Sequence, residues 1–387
     1  MKDVHSTRPC ASAFLVTTLV AGGCFSGTPA SAPDAGTNQN ADAAASIDAG
    51  PTTDAGPPPD APPLGDGVST LVGGAEPGTN DGARNVARFS NPTNVAIGTD
   101  DMLYVADFDN SLIRRVTPDG TVSTVIDIAN TFQRPFGLAF ATNGTLYVET
   151  DNNDSAGHSD TTGTVWKVDT TAKTATVIVR NVGRPRGLAV LASGDVVLSD
   201  MNQHTIRLLD PDTGNLTALA GATDQAGFVD GAGATARFNE PYDVVVTQAG
   251  DLLVADYGNH CIRKVASDGT TSTYAGSCGT MGYADGTSAN ARFNNPQGLA
   301  IDSAGNLYVT DAGNYRIREI ATDGTVSTVA GDGTAGFLDD TDASMAQFYG
   351  MEGHDVTADG TYLYVTDGNR GDGSQHNRLR RVTLTAP

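Results

Sequence analysis

The chain has 387 residues, 45 acidic against 23 basic side chains, a net charge of −22 and four cysteines. Residues 1–66 carry seven of the acids and two of the bases, so the remainder is still strongly acidic. That balance disfavours nucleic acid and anionic bilayer surfaces as partners, because both are held by clustered Lys and Arg.

Residues 1–24 open with Lys2 and Arg8, continue through the apolar run Ala13-Phe14-Leu15-Val16-Thr17-Thr18-Leu19-Val20, and end on Ala21-Gly22-Gly23-Cys24. A basic start, a short apolar stretch and small residues describe an export signal too short to span a membrane. Small residues closing on a cysteine resemble a bacterial lipobox, which implies that Cys24 is the lipidated first residue of the mature protein. Cleavage after Ala30-Ser31-Ala32 is the alternative, disfavoured by Pro33. Residues 25–66 are Ala, Pro, Gly, Thr and Asp, with six Asp and no Lys, Arg or Glu. So little apolar surface cannot offset the entropy of ordering, and the segment reads as a disordered linker. At ~3.1 Å per residue in polyproline form it reaches on the order of 100 Å. The expected address is the exported face of a bacterial cell envelope, with the membrane touched only through the lipid.

From residue 67 a tetrapeptide close to Tyr-Val-Ala-Asp recurs six times, closing on Asp107, Asp151, Asp200, Asp256, Asp311 and Asp367, in steps of 44, 49, 56, 55 and 56 residues. Such periods mark a solenoid, a propeller or an array. Each unit holds four β-branched runs separated by turn dipeptides such as Asp119-Gly120, Asp268-Gly269 and Asp323-Gly324. The first run follows a proline (Pro92, Pro135, Pro185, Pro241, Pro296, with Met351 in the last unit). Four short antiparallel strands at this period are propeller blades. The last unit lacks a fourth strand, and Val68–Val72 supplies an extra one ahead of the first proline. The prediction is an all-β, six-bladed propeller over 67–387, closed by an N-terminal strand lying beside 379–384.

Pro-x-Gly-Leu-Ala-Ile-Asp followed by Gly-Asn-Leu-Tyr-Val-Thr-Asp-x-x-Asn-x-x-Ile-Arg, at 296–318, resembles the NHL repeat of six-bladed propellers. A second element, Asp-Gly followed by Ala-Arg-Phe, occurs at Asp81-Gly82, Asp230-Gly231 and Asp285-Gly286; the last unit carries Asp339-Asp340 and Ala346-Gln347-Phe348 instead. The resemblance covers 67–387 and implies the exported bacterial form of the fold. It implies little about activity, because a fold of this kind hosts many functions.

The Asp-x-x-Asn pairs at 107/110, 256/259 and 311/314 recur in the turn after the second strand. Repetition marks them as scaffold, with carboxylate oxygens accepting backbone N–H bonds. Departures from the repeat carry more information. The residues after each leading proline differ: Thr93, Phe136, Arg186, Tyr242, Gln297 and Glu352. They are expected around one mouth of the channel, where two aromatics, a cation, an anion and two neutral polar groups suit a small polar ligand, a peptide or a protein partner. His354 stands where the other units have Val95, Leu138, Leu188, Val244 and Leu299, and is expected either to contact a ligand in the channel as a further binding residue or to bond a channel water or neighbouring backbone. Resemblance to the amidating lyases of this fold implies channel zinc on histidines, which needs about three ligands and finds one here.

The acidic stretch from Glu149 to Asp160 has oxygen ligands suited to Ca²⁺ but not the spacing of an EF-hand, and reads as a solvated loop. Cys261 and Cys278 flank one hairpin and are expected to form a disulfide in an oxidising compartment, two buried thiols being the alternative. The expected function is non-catalytic binding on the loop-bearing rim, without a cofactor. The alternative is a lactonase- or lyase-type enzyme using a divalent channel ion with His354, Tyr242 or Arg186.

Overall fold

The computed structural model describes residues 64–128, 131–152 and 161–384. The segment read as an export signal with Cys24, nearly all of the stretch read as a linker, and residues 153–160 lie outside the described residues.

The alternating β-branched runs form six antiparallel sheets. Blade 1 has strands Pro92–Ile97, Leu103–Asp107, Leu112–Val116 and Val122–Ile126. Blade 5 repeats them at Pro296–Ile301, Leu307–Asp311, Arg316–Ile320 and Thr325–Ala330, with the short Gly286–Thr287 added at its outer edge. Blade 6 takes three strands from the C-terminal end, Gly350–Val356, Tyr362–Gly368 and Asn377–Thr383, and its outer strand is Val68–Gly74. The closing register runs from Val68 opposite Val382 to Gly74 opposite Asn377. Pairing the first strand with the last removes the two edges that an open array would expose. Inner strands are also stapled across blades: Asp355 Oδ2 accepts the Ile97 amide at 2.8 Å, and Asp243 Oδ2 accepts that of Leu299 at 2.9 Å.

Between blades lie large apolar side chains from the second and third strands. Leu103, Val105 and Val116 pack with Tyr364 and Leu379 where blade 6 meets blade 1. At ~25 cal/mol per Å² of apolar surface removed from water, such layers supply most of the stabilisation.

Sheet pairing corrects one sequence expectation. Pro92 is opposite Asp107 in blade 1, but Pro135 in blade 2 is opposite Thr150. Thr150, not Asp151, therefore closes the second repeat, and Asp151 falls one place beyond the strand. The sequence allowed either register because both residues are polar and an insertion follows.

The repeated carboxylates are scaffold, and they hold more than the turn. In blade 1, Asp107 Oδ1 accepts the Ser90 amide at 2.7 Å, while Oδ2 accepts Asn110 Nδ2 at 2.9 Å and Arg114 Nη1 at 2.7 Å. Arg114 is fully buried over Phe89, donates to the carbonyls of Arg88 and Asn80, and reaches Asp81 at 2.7 Å. Arg263 and Arg318 repeat this arrangement in blades 4 and 5. Arg380 keeps it in blade 6 through Asp367, Asp339 and the Gln347 carbonyl, so the departures seen there leave the network intact. The Asp-Gly and Ala-Arg-Phe motifs thus build a cage for one guanidinium in each of blades 1, 4 and 5. A buried charge persists only when it is paired and hydrogen-bonded, which these cages provide through both Nη groups. In blade 2 the cage is absent: Trp166 stands at the Arg position and donates Nε1–H to Thr150 Oγ1 at 2.9 Å, against Phe132.

Cys261 and Cys278 are bonded to each other, with Cα atoms 5.1 Å apart. The bridge ties the third strand of blade 4 to the segment that follows its outer strand.

Candidate functional site

Every inner strand breaks register just after its leading proline or, in blade 6, after Met351. A bulge of this kind re-aims side chains at a sheet end. It brings Thr93, Phe136, Arg186, Tyr242, Gln297 and Glu352 onto a single cavity of about 320 Å³. All six residues expected around the mouth are therefore together. Phe108, Arg134, Arg184, Tyr257 and Arg370 add to its wall from the adjoining loops, and the sequence reading missed them. The available signal was position: Arg134 and Arg184 directly precede a leading proline, while Phe108 and Tyr257 directly follow the Asp that ends a second strand.

One side of this mouth is aromatic. Phe136 meets Phe108 and Tyr242 edge-on, with ring centroids 5.9 and 5.8 Å away, and Tyr242 lies 5.7 Å from Tyr257. Arg186 stacks over Phe136 with its guanidinium carbon 4.0 Å from the ring centroid. The same guanidinium forks onto Asp151, at 2.7 Å to Oδ1 and 3.3 Å to Oδ2, and Arg184 reaches Asp151 from the other side at 3.3 Å. Burial raises the Asp151 carboxyl, but the charges of Arg186 and Arg184 outweigh it and hold the group below its ordinary range. Displacement out of the repeat register thus turned a scaffold aspartate into the anchor of the mouth arginines.

Glu352 is the opposite case. Its Oε2 is buried and has no hydrogen-bond partner among the described residues, and neither has Oε1 of Gln297, which is 6% exposed. Burial pushes the Glu352 carboxyl up to about 7, against the opposing pull of Arg186 and Arg370. Burial first, and Glu352 second, raise the Tyr242 phenol well above its ordinary value. Glu149 is fully buried, neither of its oxygens has a hydrogen-bond partner among the described residues, and burial followed by the nearby Asp151 drives its carboxyl well upward.

His354 lies apart from this cavity. It borders a second one of about 260 Å³ further along the inner strands, with Asn94, Asp243 and Asp355. Its Nε2 is 3.0 Å from the Tyr308 carbonyl, the backbone bond anticipated as one of its two fates, and burial lowers its pKa to about 4. Gly298 makes room for the ring, since a Cβ there would stand 2.7 Å from Nδ1. Both Asp243 and Asp355 spend their oxygens on backbone amides. Among the described residues no three His, Cys, Asp or Glu side chains are grouped to hold a metal ion. His204 and His260 accept the amides of Glu240 and Asn295 through Nδ1, as turn supports. Of the three residues invoked for an enzyme, Tyr242 and Arg186 share the mouth, while His354 does not reach it.

Comparison with known proteins bears on this architecture. The model of the Teneurin NHL domain family matches residues 74–283, more than half of the chain, and that of the NHL repeat matches 293–320. NHL repeat-containing protein 2 of Homo sapiens is 28% identical over 302 residues, covering 64% of this chain and 41% of that protein. Teneurin-m of Drosophila melanogaster is 25% identical over 276 residues, covering 66% of this chain and 9% of that protein. The chain thus spans about two fifths of the NHL repeat-containing relatives it matches. Among solved structures, an auxiliary nutrient binding protein from Bacteroides thetaiotaomicron superposes with a TM-score of 0.64 at 18% identity, over 81% of this chain and 75% of that one. A protein of unknown function from the same organism gives 0.65 at 20% identity, over 82% and 76%. These two likenesses establish the fold.

Proposed function

The chain belongs to the Teneurin NHL domain family of repeat propellers, and from that premise we propose that it is a binding protein whose ligand site is the cavity ringed by Thr93, Phe136, Arg186, Tyr242, Gln297 and Glu352. The observation that carries the proposal is convergence. Six residues that differ from blade to blade meet in one concave space, while the residues that repeat are consumed in holding the blades together. A concave site with an aromatic wall and a few unsatisfied polar atoms is the usual form of a small-ligand pocket. Non-catalytic binding of a small polar ligand or peptide is the activity this site serves. The description of a structural neighbour as nutrient binding lends the same direction.

The proposal extends to location: an exported protein held to the cell envelope by lipid on Cys24, with the acidic Pro-rich linker as spacer. The order of basic, apolar and small residues before Cys24 supports it, as does a disulfide, which persists in oxidising compartments.

A calorimetric and thermal-shift screen of sugars, carboxylates, amines and peptides against the full chain tests the site. A ligand whose affinity falls about tenfold or more in Tyr242→Ala, as loss of a buried aromatic contact predicts, supports the assignment. Hits that bind Tyr242→Ala as tightly as the wild type place the site elsewhere. Membrane fractionation of Cys24→Ala tests the anchor, which is expected to release the protein.

A further inference from the structure

The charges of the mouth are unequally spent, and the imbalance selects a ligand chemistry. Arg186 is satisfied twice over, by the carboxylate fork of Asp151 and by the face of Phe136. Arg184 shares that carboxylate at 3.3 Å. On the other side of the ring, two acceptors on neighbouring blades find no donor among the described residues: Gln297 Oε1 on blade 5 and Glu352 Oε2 on blade 6. Gln297 is buried to all but 6% and lines the cavity. A buried acceptor without a donor has lost its hydration for nothing, the more so when charged, so a site that retains two gains most from a donor-rich, positively charged group. The faces of Tyr242 and Tyr257 add attraction for a cation. Arg370, also on the wall, has no carboxylate within ion-pair reach among the described residues and offers a place for negative charge.

Resting on the binding function above, we propose that the cavity takes a free amino acid or the N-terminal end of a short peptide, ammonium first. The ammonium lies between Glu352 Oε2 and Gln297 Oε1, the side chain lies against Phe136 and Tyr242, and the carboxylate or first peptide carbonyl faces Arg370 and Arg184. The volume of about 320 Å³ sits at the small end of the range for ligand pockets, roughly 300–1,000 Å³, which suits a molecule of this size. A metal ion is a poorer occupant, because two oxygens fall short of the four or more ligands such ions demand.

Affinity then depends on pH through Glu352. An incoming ammonium favours the carboxylate form of a group that stands at about 7 in the free protein, so binding weakens as pH falls from 8 to 6. The other charges facing it are Arg184, Arg186, Arg370 and Asp151, with the phenols of Tyr242 and Tyr257. Arg186 and the two phenols are raised further above this window, and Asp151 is held below it.

Calorimetry on the full chain with a panel of free amino acids and dipeptides, each paired with its N-acetyl derivative, tests the assignment. We expect at least one binder that loses about tenfold or more on N-acetylation, the size of one charge-assisted contact. Glu352→Gln and Gln297→Leu should each weaken that binder, and Glu352→Gln should flatten its pH profile between 6 and 8. N-acetylation needs no substitution, so the test survives a variant that fails to fold. Equal binding of free and acetylated forms, unchanged affinity in both variants, or no binder in the panel would overturn the ammonium assignment. A sugar or simple carboxylate that depends on Tyr242 would overturn it while leaving the binding function intact. Failure of every chemical class to show Tyr242-dependent binding would remove both.

Discussion

Blade 2 and blade 5 are built on the same four strands but spend their polar residues differently. In blade 5, Arg318 is fully buried, paired with Asp311 at 2.9 Å and with Asp285, and stacked near Phe293. In blade 2, Trp166 and Thr150 replace the pair by one neutral hydrogen bond, and Asp151 is displaced to the mouth. A neutral bond needs no cage, so blade 2 also lacks the Asp-Gly loop. Conservation of charge within the repeat makes scaffold, and its release from the repeat makes a site. The contrast explains why the mouth, in a strongly acidic protein, is lined by Arg134, Arg184, Arg186 and Arg370.

The contrast breaks most visibly if Arg318 is removed. Arg318→Met leaves Asp311 buried without its partner and is expected to cost about 3–5 kcal/mol in chemical denaturation. Arg318→Met combined with Asp311→Asn should recover part of that loss, and a loss of under 1 kcal/mol in the single variant would refute the cage. Next in size is the bridge in blade 4. Its 17-residue separation predicts about 3 kcal/mol lost on replacing Cys261 and Cys278 by Ser, read as a lower denaturation midpoint with an unchanged mutant under reducing conditions. Blade 2 should respond less. Thr150→Val strands the Trp166 N–H and gives up the hydroxyl's own donation to the Asn152 carbonyl at 3.1 Å, for about 1–2 kcal/mol. A cost matching that of Arg318→Met would erase the distinction between the blades.

The last effect is set by pH. The Glu149 carboxyl is raised in the folded state by burial and then by Asp151. A raised acid contributes stability that is fully present below its unfolded value, near 4.5, and is lost as pH climbs toward the folded value. Glu149→Gln should therefore gain on the wild type as pH rises above 4.5, by at most about 1.4 kcal/mol per pH unit. Parallel stability curves for the two proteins would mean that Glu149 is ionised and paired in solution.

Particular residues show where sequence was enough. The six prolines or their equivalents marked the inner strands, and the residue after each one proved to line the mouth, because strand pairing carries a local offset faithfully into space. The spare strand at Val68 and the missing one after Leu379 could be matched by counting. Other features were visible but unread. Arg114, Arg207, Arg263, Arg318 and Arg380 recur at one strand position, and such regularity in an expensive residue already signals a buried partner. The Trp166 exception and the true place of Asp151 were beyond counting, since a one-residue shift at an insertion leaves the pattern of residue types unchanged.

What the chain's own order determined is the ring: strand number, closure, and which side chains begin the inner strands, all consequences of a period-two alternation repeated at blade length. What only the folded ring decided is which charges remain unspent. Asp151 meets Arg186 across 35 residues and Glu352 comes to line one cavity with Tyr242, and no local pattern encodes either outcome. Ion pairing and burial act over a few ångströms of space, so their outcome is fixed by which strands become neighbours around the axis.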